Sequence, residues 1–381
     1  MIIEAVCGAL LGAAGAVPFL HTNMLLQIFS GGFQGGTSSA IFAIALGISH
    51  SFFEIFPAAF VLGFGVKMGD DGGNDGSRAG IFNIALLSLA VSIAMLPVFC
   101  VLLPLAMERM QDYLKFVFLA IVVSQFFSDG WRPAILGAFV FVFSGILGSI
   151  TFFGSVVAEP LFPMLSGFFA IPALLFGSQE EGKPGGEGGS TTIIVLMCVF
   201  ASAFSTLFPA MTVGVLLGMM MLVLKGKGAL GIAVPGLIVS KTFFDIAASA
   251  ITGKTRSLAA VLATPLSQDF ATLAVPLIAS VAIFSGCIAM LMILNFRERI
   301  GKLYGEAFSE KYRRLILCAI VAGIFASGGA NAIILSAAAA GIGITIHFLE
   351  IKRGHAMGAL IVPSLLFMFG IDAQVSGMLF N

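Results

Sequence analysis

Long, nearly uninterrupted apolar runs constrain the fold of this chain more than any other feature. Ala85–Leu105 and Ala319–Ile346 are two examples, and comparable stretches follow one another along the sequence. A run of about 20 apolar residues is what an α-helix needs to cross the hydrocarbon core of a bilayer. An outer-membrane β-barrel would instead alternate polar and apolar residues, and these runs do not alternate. The pattern therefore predicts an all-α polytopic membrane protein.

Length and charge sharpen this expectation. A span with a short loop takes roughly 30 to 35 residues, so 381 residues predict about 10–12 transmembrane segments. Only 10% of the residues are charged, and 19 basic residues balance 19 acidic ones. This balance excludes a basic nucleic-acid-binding surface, so we expect membrane lipid and no nucleic acid as a partner. Since HExxH, GxSxG and P-loop motifs are absent, we expect no enzyme activity, no cofactor and no metal site.

The midpoint of the chain has a composition that cannot lie in lipid. Ser178–Gly189 contains five glycines, one proline and four charged residues among twelve. Such a segment predicts an exposed linker rich in glycine and acidic residues at 178–189. The linker divides the chain into two membrane halves, 1–177 and 190–381.

The two halves share a short motif at a shift of 191 residues. Ser49–Ile55 falls on Ser240–Ile246 with four of seven positions identical, and an acid follows a Phe pair in both. Elsewhere the register drifts, and the Ser-Gly pair at 144–145 matches that at 327–328 only at a shift of 183. Internal repeats are typical of secondary transporters. We therefore expect two structural repeats, inverted relative to each other, with broken or re-entrant helices.

Three charged residues stand inside long apolar stretches: Glu54, Lys241 and Asp245. Each costs about 2.5 to 3.5 kcal/mol at a helix centre, so each needs a partner or a polar cavity. His50 precedes Glu54 by four residues, as Lys241 precedes Asp245, and this spacing places each pair on one helix face. One interpretation is simple neutralisation within each helix. The other is a central site in which Lys241 attracts an anion while His50, Glu54 and Asp245 couple transport to H⁺ or Na⁺.

A second candidate site surrounds the proline of each half. Proline interrupts a helix, and a new helix beginning beyond it would offer free N–H groups to a carboxylate or phosphate. The alternative interpretation is a plain proline kink. The residues that we assign to this substrate site are Pro18, His21, Thr22 and Asn23 in the first half, and Pro209 and Thr212 in the second.

A third candidate is the segment from Ser327 to Asn331, which contains two adjacent glycines. It predicts a helix break or a close helix crossing, with close packing as the simpler explanation. Asn331 is a candidate substrate ligand because an amide facing lipid would remain unsatisfied.

At two of these segments the sequence resembles a known family. Gly15–Asn23 and Ser49–Pro57 are similar to motifs in the archaeal branch of the TctA-type permeases, the large membrane subunits of tripartite tricarboxylate transporters. Phe19 stands where those relatives usually have glycine. The resemblance implies a prokaryotic, archaeal, multi-pass protein of the cell membrane. It also implies, as partners, an extracytoplasmic binding protein and a small membrane subunit.

The leading hypothesis is a permease that moves a small organic anion such as a carboxylate, coupled to H⁺ or Na⁺. One alternative is a translocase of polyprenyl-phosphate lipid carriers, which would hold its head group at Lys241. Another is a non-transporting membrane scaffold, in which the embedded charges only neutralise each other.

Overall fold

The computed structural model describes most of the chain, and the described part is helical with intervening turns and no β-strand. The described residues are 2–16, 25, 36–61, 80–126, 131–157, 160–176, 190–208, 211, 213, 216–217, 219–220, 227–253, 275–306, 310–351 and 353–380. The predicted all-α class is therefore confirmed for these residues.

The helices follow the apolar runs of the sequence. Those before the linker are α1 (Ile2–Leu11), α2 (Thr37–Val61), α3 (Gly80–Phe126), α4 (Trp131–Phe153), α5 (Leu161–Leu165) and α6 (Ile171–Phe176). Those after it are α7 (Thr191–Ser205), α8 (Lys227–Thr252), α9 (Val275–Glu306), α10 (Glu310–Phe348), α11 (Gly358–Phe369) and α12 (Asp372–Phe380). Two 3₁₀ turns, Gly12–Ala16 and Arg353–Met357, adjoin α1 and α11, and a π-helical turn at Ser166–Ala170 joins α5 to α6.

Six helices of the described part are long and apolar enough to cross a membrane, which identifies a membrane protein. They lie within α2, α3, α4, α8, α9 and α10. A seventh span results if the pair Gly354–Phe369 and Asp372–Met378, bent by 117°, is counted as one. Shorter apolar helices occur at Ile2–Ala16, Leu161–Phe176 and Thr191–Ser205. The expected total of 10–12 spans stays a prediction, because it refers to the whole chain, whereas these helices belong to the described residues.

The chain forms two compact units, and each combines segments from before and after the linker. The first unit consists of Met1–Met110, Glu180–Phe208 and Val223–Leu303. The second consists of Gln111–Gln179, Pro209–Leu222 and Tyr304–Asn381. These units do not correspond to the sequence halves 1–177 and 190–381, because each contains segments of both. The division of the chain into two repeats stays a prediction.

In the first unit, α1 and its 3₁₀ turn pack on α2 through glycines. A side chain at Gly12 would collide with Ser49, and one at Gly15 would lie 2.6 Å from the carbonyl oxygen of His50. The Ser49 hydroxyl donates a hydrogen bond to the carbonyl oxygen of Ala9 at 2.6 Å. Small residues let the backbones approach this closely, and van der Waals packing then stabilises the pair in an apolar environment.

In the second unit, α10 is interrupted by a sharp kink. Gly328 and Gly329 have non-helical backbone angles, and Gly329 has φ +61° and ψ −146°. Only glycine adopts this conformation without strain. A side chain at Gly328 would also lie 2.6 Å from the Val157 side chain. Of the two alternatives expected from the sequence, the segment shows the helix break, and Gly328 packs closely against Val157 in the turn after α4.

Candidate functional site

The proline-centred site lies outside the described residues. The residues concerned are Pro18, His21, Thr22 and Asn23 of the first half and Pro209 and Thr212 of the second. The predicted linker at 178–189 also lies outside the described residues. The described residues just before each proline do leave the α-helical conformation. Gly12–Ala16 is a 3₁₀ turn, and beyond Ser205 the N–H groups of Thr206 and Leu207 bond to carbonyl groups three residues earlier. Both short helices therefore tighten before the proline, as the sequence predicts.

The second-half charge pair forms an ion pair within α8. The Lys241 Nζ donates to both carboxylate oxygens of Asp245 at 2.5 Å. The Lys241 side chain is 10% exposed and that of Asp245 17% exposed, so the pair is largely removed from solvent. Mutual neutralisation lowers the cost of placing either charge in an apolar surrounding. The spacing of four residues thus brings these two predicted site residues together.

The corresponding residues of the first half behave differently. His50 is buried, and its ring and carbonyl group lie against the position of Gly15 in the 3₁₀ turn after α1. Glu54 is half-buried on α2. Within the part of the chain that the structure describes, its carboxylate makes no hydrogen bond or ion pair. Glu54 is therefore an acid whose charge no described side chain compensates.

Asn331 lies just beyond the kink of α10, in the second unit. It is exposed, and its side-chain nitrogen donates to the carbonyl oxygen of Val156 at 3.4 Å. This bond ties the kink to the turn that follows α4. The amide is thus already partly satisfied by the backbone, and its role as a substrate ligand stays a prediction.

Sequence reasoning missed a group of buried serines in the first unit. Ser88 and Ser92 lie on α3, Ser202 on α7 and Ser240 on α8, and all four are fully buried. The Ser92 Oγ lies 3.1 Å from the Ser240 Oγ, which joins α3 to α8. The only available signal was the four-residue spacing of serines within apolar runs. We call Ser88, Ser92 and Ser240 the serine cluster; Ser202 is a further buried serine on α7.

No metal centre is found in the described ranges, where no group of three or more His, Cys, Asp or Glu side chains could hold an ion. No family model, no curated protein and no solved structure matches the chain. The candidate groups are an ion pair on α8, an acid on α2 that no described side chain compensates, and the serine cluster, all within the first unit. By their chemistry, the acids could exchange a cation or a proton, and Lys241 could attract an anion.

Proposed function

We propose that the protein is a secondary transporter built from two repeats, which moves a small organic anion such as a carboxylate across the cell membrane with H⁺ or Na⁺ as the coupling ion. The observation that carries the proposal is a set of helix crossings that recur reciprocally in the two halves. In transporters with repeats, substrate and ion sites lie at the repeat interface near the middle of the bilayer.

Helix bounds in the first unit support the repeat. A shift of 191 carries Thr37–Val61 of α2 onto 228–252, and α8 is Lys227–Thr252. The same shift carries α1 with its 3₁₀ turn, 2–16, onto 193–207, where α7 and its terminal turn occupy 191–208. The shift that aligns the acidic motifs thus also aligns the helices on which they lie.

Glycine contacts in the second unit support the repeat independently. A side chain at Gly167, in the π-helical turn, would collide with the carbonyl oxygen of Ser336 on α10. A side chain at Gly358 on α11 would collide with the carbonyl oxygen of Phe141 on α4. Gly358 is 191 residues beyond Gly167, and Ser336 is 195 residues beyond Phe141. The two crossings are therefore equivalent with the partners exchanged.

A second pair of contacts obeys the same two shifts. A side chain at Gly343 on α10 would collide with the carbonyl oxygen of Phe168, and one at Gly148 on α4 with that of Ala359. Here the two glycines are 195 residues apart and their two partners 191 residues apart, the reverse of the first pair. Each half thus packs its long helix on the short helix of the other half. A duplicated chain would produce this exchange, so the contacts support the proposed repeat.

The embedded charges give the proposed coupling a physical basis. Lys241 is held by Asp245, so an anionic substrate must compete with that carboxylate for the ammonium group. Binding of H⁺ or Na⁺ to Asp245 weakens its hold on Lys241 and leaves the cation available to the anion. Glu54 stands at the equivalent position of the other half and provides a second acid for the coupling ion. Anion and coupling ion then bind more tightly together than apart.

The resemblance to TctA-type permeases extends this proposal to its partners. Under it, an extracytoplasmic binding protein delivers the anion, and a small membrane subunit accompanies the permease. Tricarboxylates and dicarboxylates are then the first substrates to test.

A ligand screen by thermal unfolding tests the proposal. The purified chain is heated with each di- and tricarboxylate and with isoprenoid phosphates, with and without Na⁺ and at two pH values. A ligand that binds the native state at 100 times its dissociation constant stabilises it by about 2.7 kcal/mol. We expect a carboxylate to raise the unfolding midpoint, and K241M to abolish this increase. Stabilisation by isoprenoid phosphates alone would favour a lipid-carrier translocase, and no stabilisation by any anion would favour a scaffold.

A further inference from the structure

The serine cluster occupies two successive levels where α3, α7 and α8 meet in the first unit. At one level the Ser88 Oγ and the Cys198 Sγ face Gly236, at 3.2 and 3.1 Å from where its Cβ would stand. At the next level, one turn further along both α3 and α8, Ser92 meets Ser240. The glycine leaves room beside Ser88 that a side chain would fill.

The hydroxyl oxygens of Ser92 and Ser240 have lone pairs that their hydrogen bonds do not use. The Ser92 Oγ lies 2.7 Å from the carbonyl oxygen of Ser88 and 3.1 Å from the Ser240 Oγ. A hydroxyl has one proton and a carbonyl can only accept, so Ser92 donates to the carbonyl group and the proton between the hydroxyls comes from Ser240. Both protons are thus directed within the protein, and lone pairs on these oxygens remain available.

The side-chain hydroxyls of Ser88, in the cluster, and of Ser202, on α7, are buried without partners in the part of the chain that the structure describes. The Oγ atoms of Ser88 and Ser202 are fully buried and have no hydrogen-bond partner among the described residues. Ser39, Ser166 and Ser336 are also buried without a partner for the hydroxyl among the described residues. In contrast, Ser285 on α9 donates to the carbonyl oxygen of Val281, and Ser205 to that of Ser202. A buried hydroxyl without a partner is costly, so the arrangement indicates a ligand that supplies the missing interactions.

We propose that the serine cluster binds a dehydrated Na⁺ ion. The hydroxyl oxygens of Ser88, Ser92 and Ser240 are hard ligands, which suit an alkali-metal cation rather than a soft metal. Lys241 is adjacent in sequence to Ser240, but its positive charge is balanced by Asp245. The inference rests on the proposed function and makes it specific, because it names Na⁺ as a coupling ion and gives it a site separate from the acids Glu54 and Asp245.

Thermal unfolding of the full-length chain in Na⁺, with choline replacing it at constant ionic strength, tests this site. We expect the unfolding midpoint of the wild type to rise with Na⁺ and to saturate. For S88A and S240A, the half-saturating Na⁺ concentration should increase at least about tenfold, which corresponds to about 1.4 kcal/mol. S285A is the matched control, because Ser285 is equally buried but bonds within its own helix, and it should respond as the wild type does.

The loss of a hydroxyl without a partner should leave S88A folded, so this variant remains informative if S240A does not fold. Equal midpoints in Na⁺ and choline for the wild type would overturn the proposal, as would an unchanged Na⁺ response in S88A. Anion uptake separates the two proposals. Uptake driven by a pH gradient without any Na⁺ effect would refute the site but not the transporter. Na⁺ binding that S88A loses, in a protein without uptake, would refute the transporter but not the site.

Discussion

At the scale of residues, the ion pair between Lys241 and Asp245 is the feature with the clearest energetic consequence. Both side chains are largely excluded from solvent, and each compensates the charge of the other. Breaking such a pair by removing one partner costs far more than replacing both, because a single buried charge remains. The pair therefore stabilises the protein mainly by avoiding an uncompensated charge.

This asymmetry predicts a specific pattern of stability. K241M leaves the Asp245 carboxylate alone and should destabilise the protein by about 3 to 5 kcal/mol, whereas the double variant K241M/D245N should recover most of that loss. Thermal unfolding of the wild type, both single variants and the double variant measures the coupling. Strictly additive effects of the two substitutions would show that the pair is not coupled.

The sequence predicted this pair but not the serine cluster, for a physical reason. Residues four apart on one helix must be neighbours, so Lys241 and Asp245 could be paired without knowledge of the fold. The members of the cluster come from two helices, α3 and α8, and their proximity depends on how those helices pack. A serine in an apolar run also commonly bonds to its own helix, as Ser285 does. Only the packing distinguishes Ser88 from such a residue.

At the scale of elements, the kink of α10 is the most constrained feature. Gly329 has φ +61° and ψ −146°, a region that residues with a side chain adopt only under strain. The following turn is tied to the end of α4 by the bond from Asn331 to Val156. The break is therefore fixed by backbone conformation and by a specific contact, and it is not a local weakness of the helix.

Substitution of this glycine tests the kink. G329A should destabilise the protein by about 1 to 3 kcal/mol or straighten α10, because alanine is strained in this conformation. G341A is the control: Gly341 lies in the same helix with nothing within 4 Å of its Cβ position. It should be neutral or stabilise by up to about 1 kcal/mol. Thermal unfolding of both variants is the measurement, and equal midpoints would argue against a strained kink.

The sequence predicted which segments form helices, but it did not predict which residues of the two proposed repeats correspond to each other. Apolar runs predicted α2 and α8 well because length and hydropathy fix a membrane helix. The Ser-Gly match related 144–145 to 327–328 at a shift of 183, whereas in the proposed repeat the reciprocal glycine contacts relate α4 to α10 at a shift of 195. Small residues recur often in apolar helices, so identity between them carries little information about register. The contacts of Gly148 and Gly343 carry much more.

At the scale of the whole molecule, a membrane protein rich in helices has two compact units, each drawn from both sides of the linker. In the proposed repeat, the first unit holds the N-terminal parts of both halves, and the second holds their C-terminal parts. The embedded charges and the serine cluster all belong to the first unit. The helix breaks of α10 and of the pair α11 and α12 belong to the second.

Coupled uptake into proteoliposomes tests the central claim, that this chain transports an anion with the help of its embedded acids. Radiolabelled carboxylate uptake is measured under an imposed Na⁺ or pH gradient for the wild type, E54Q and D245N. Glu54 has no described partner, so E54Q should fold normally, and the unfolding midpoint of K241M/D245N shows how much the ammonium group that D245N leaves unpaired affects stability. The account predicts gradient-driven uptake by the wild type, with E54Q and D245N reduced to the level of empty liposomes while their unfolding midpoints show that they are folded. Uptake by both variants at the wild-type rate, or no gradient-driven uptake of any carboxylate by the wild type, would contradict it.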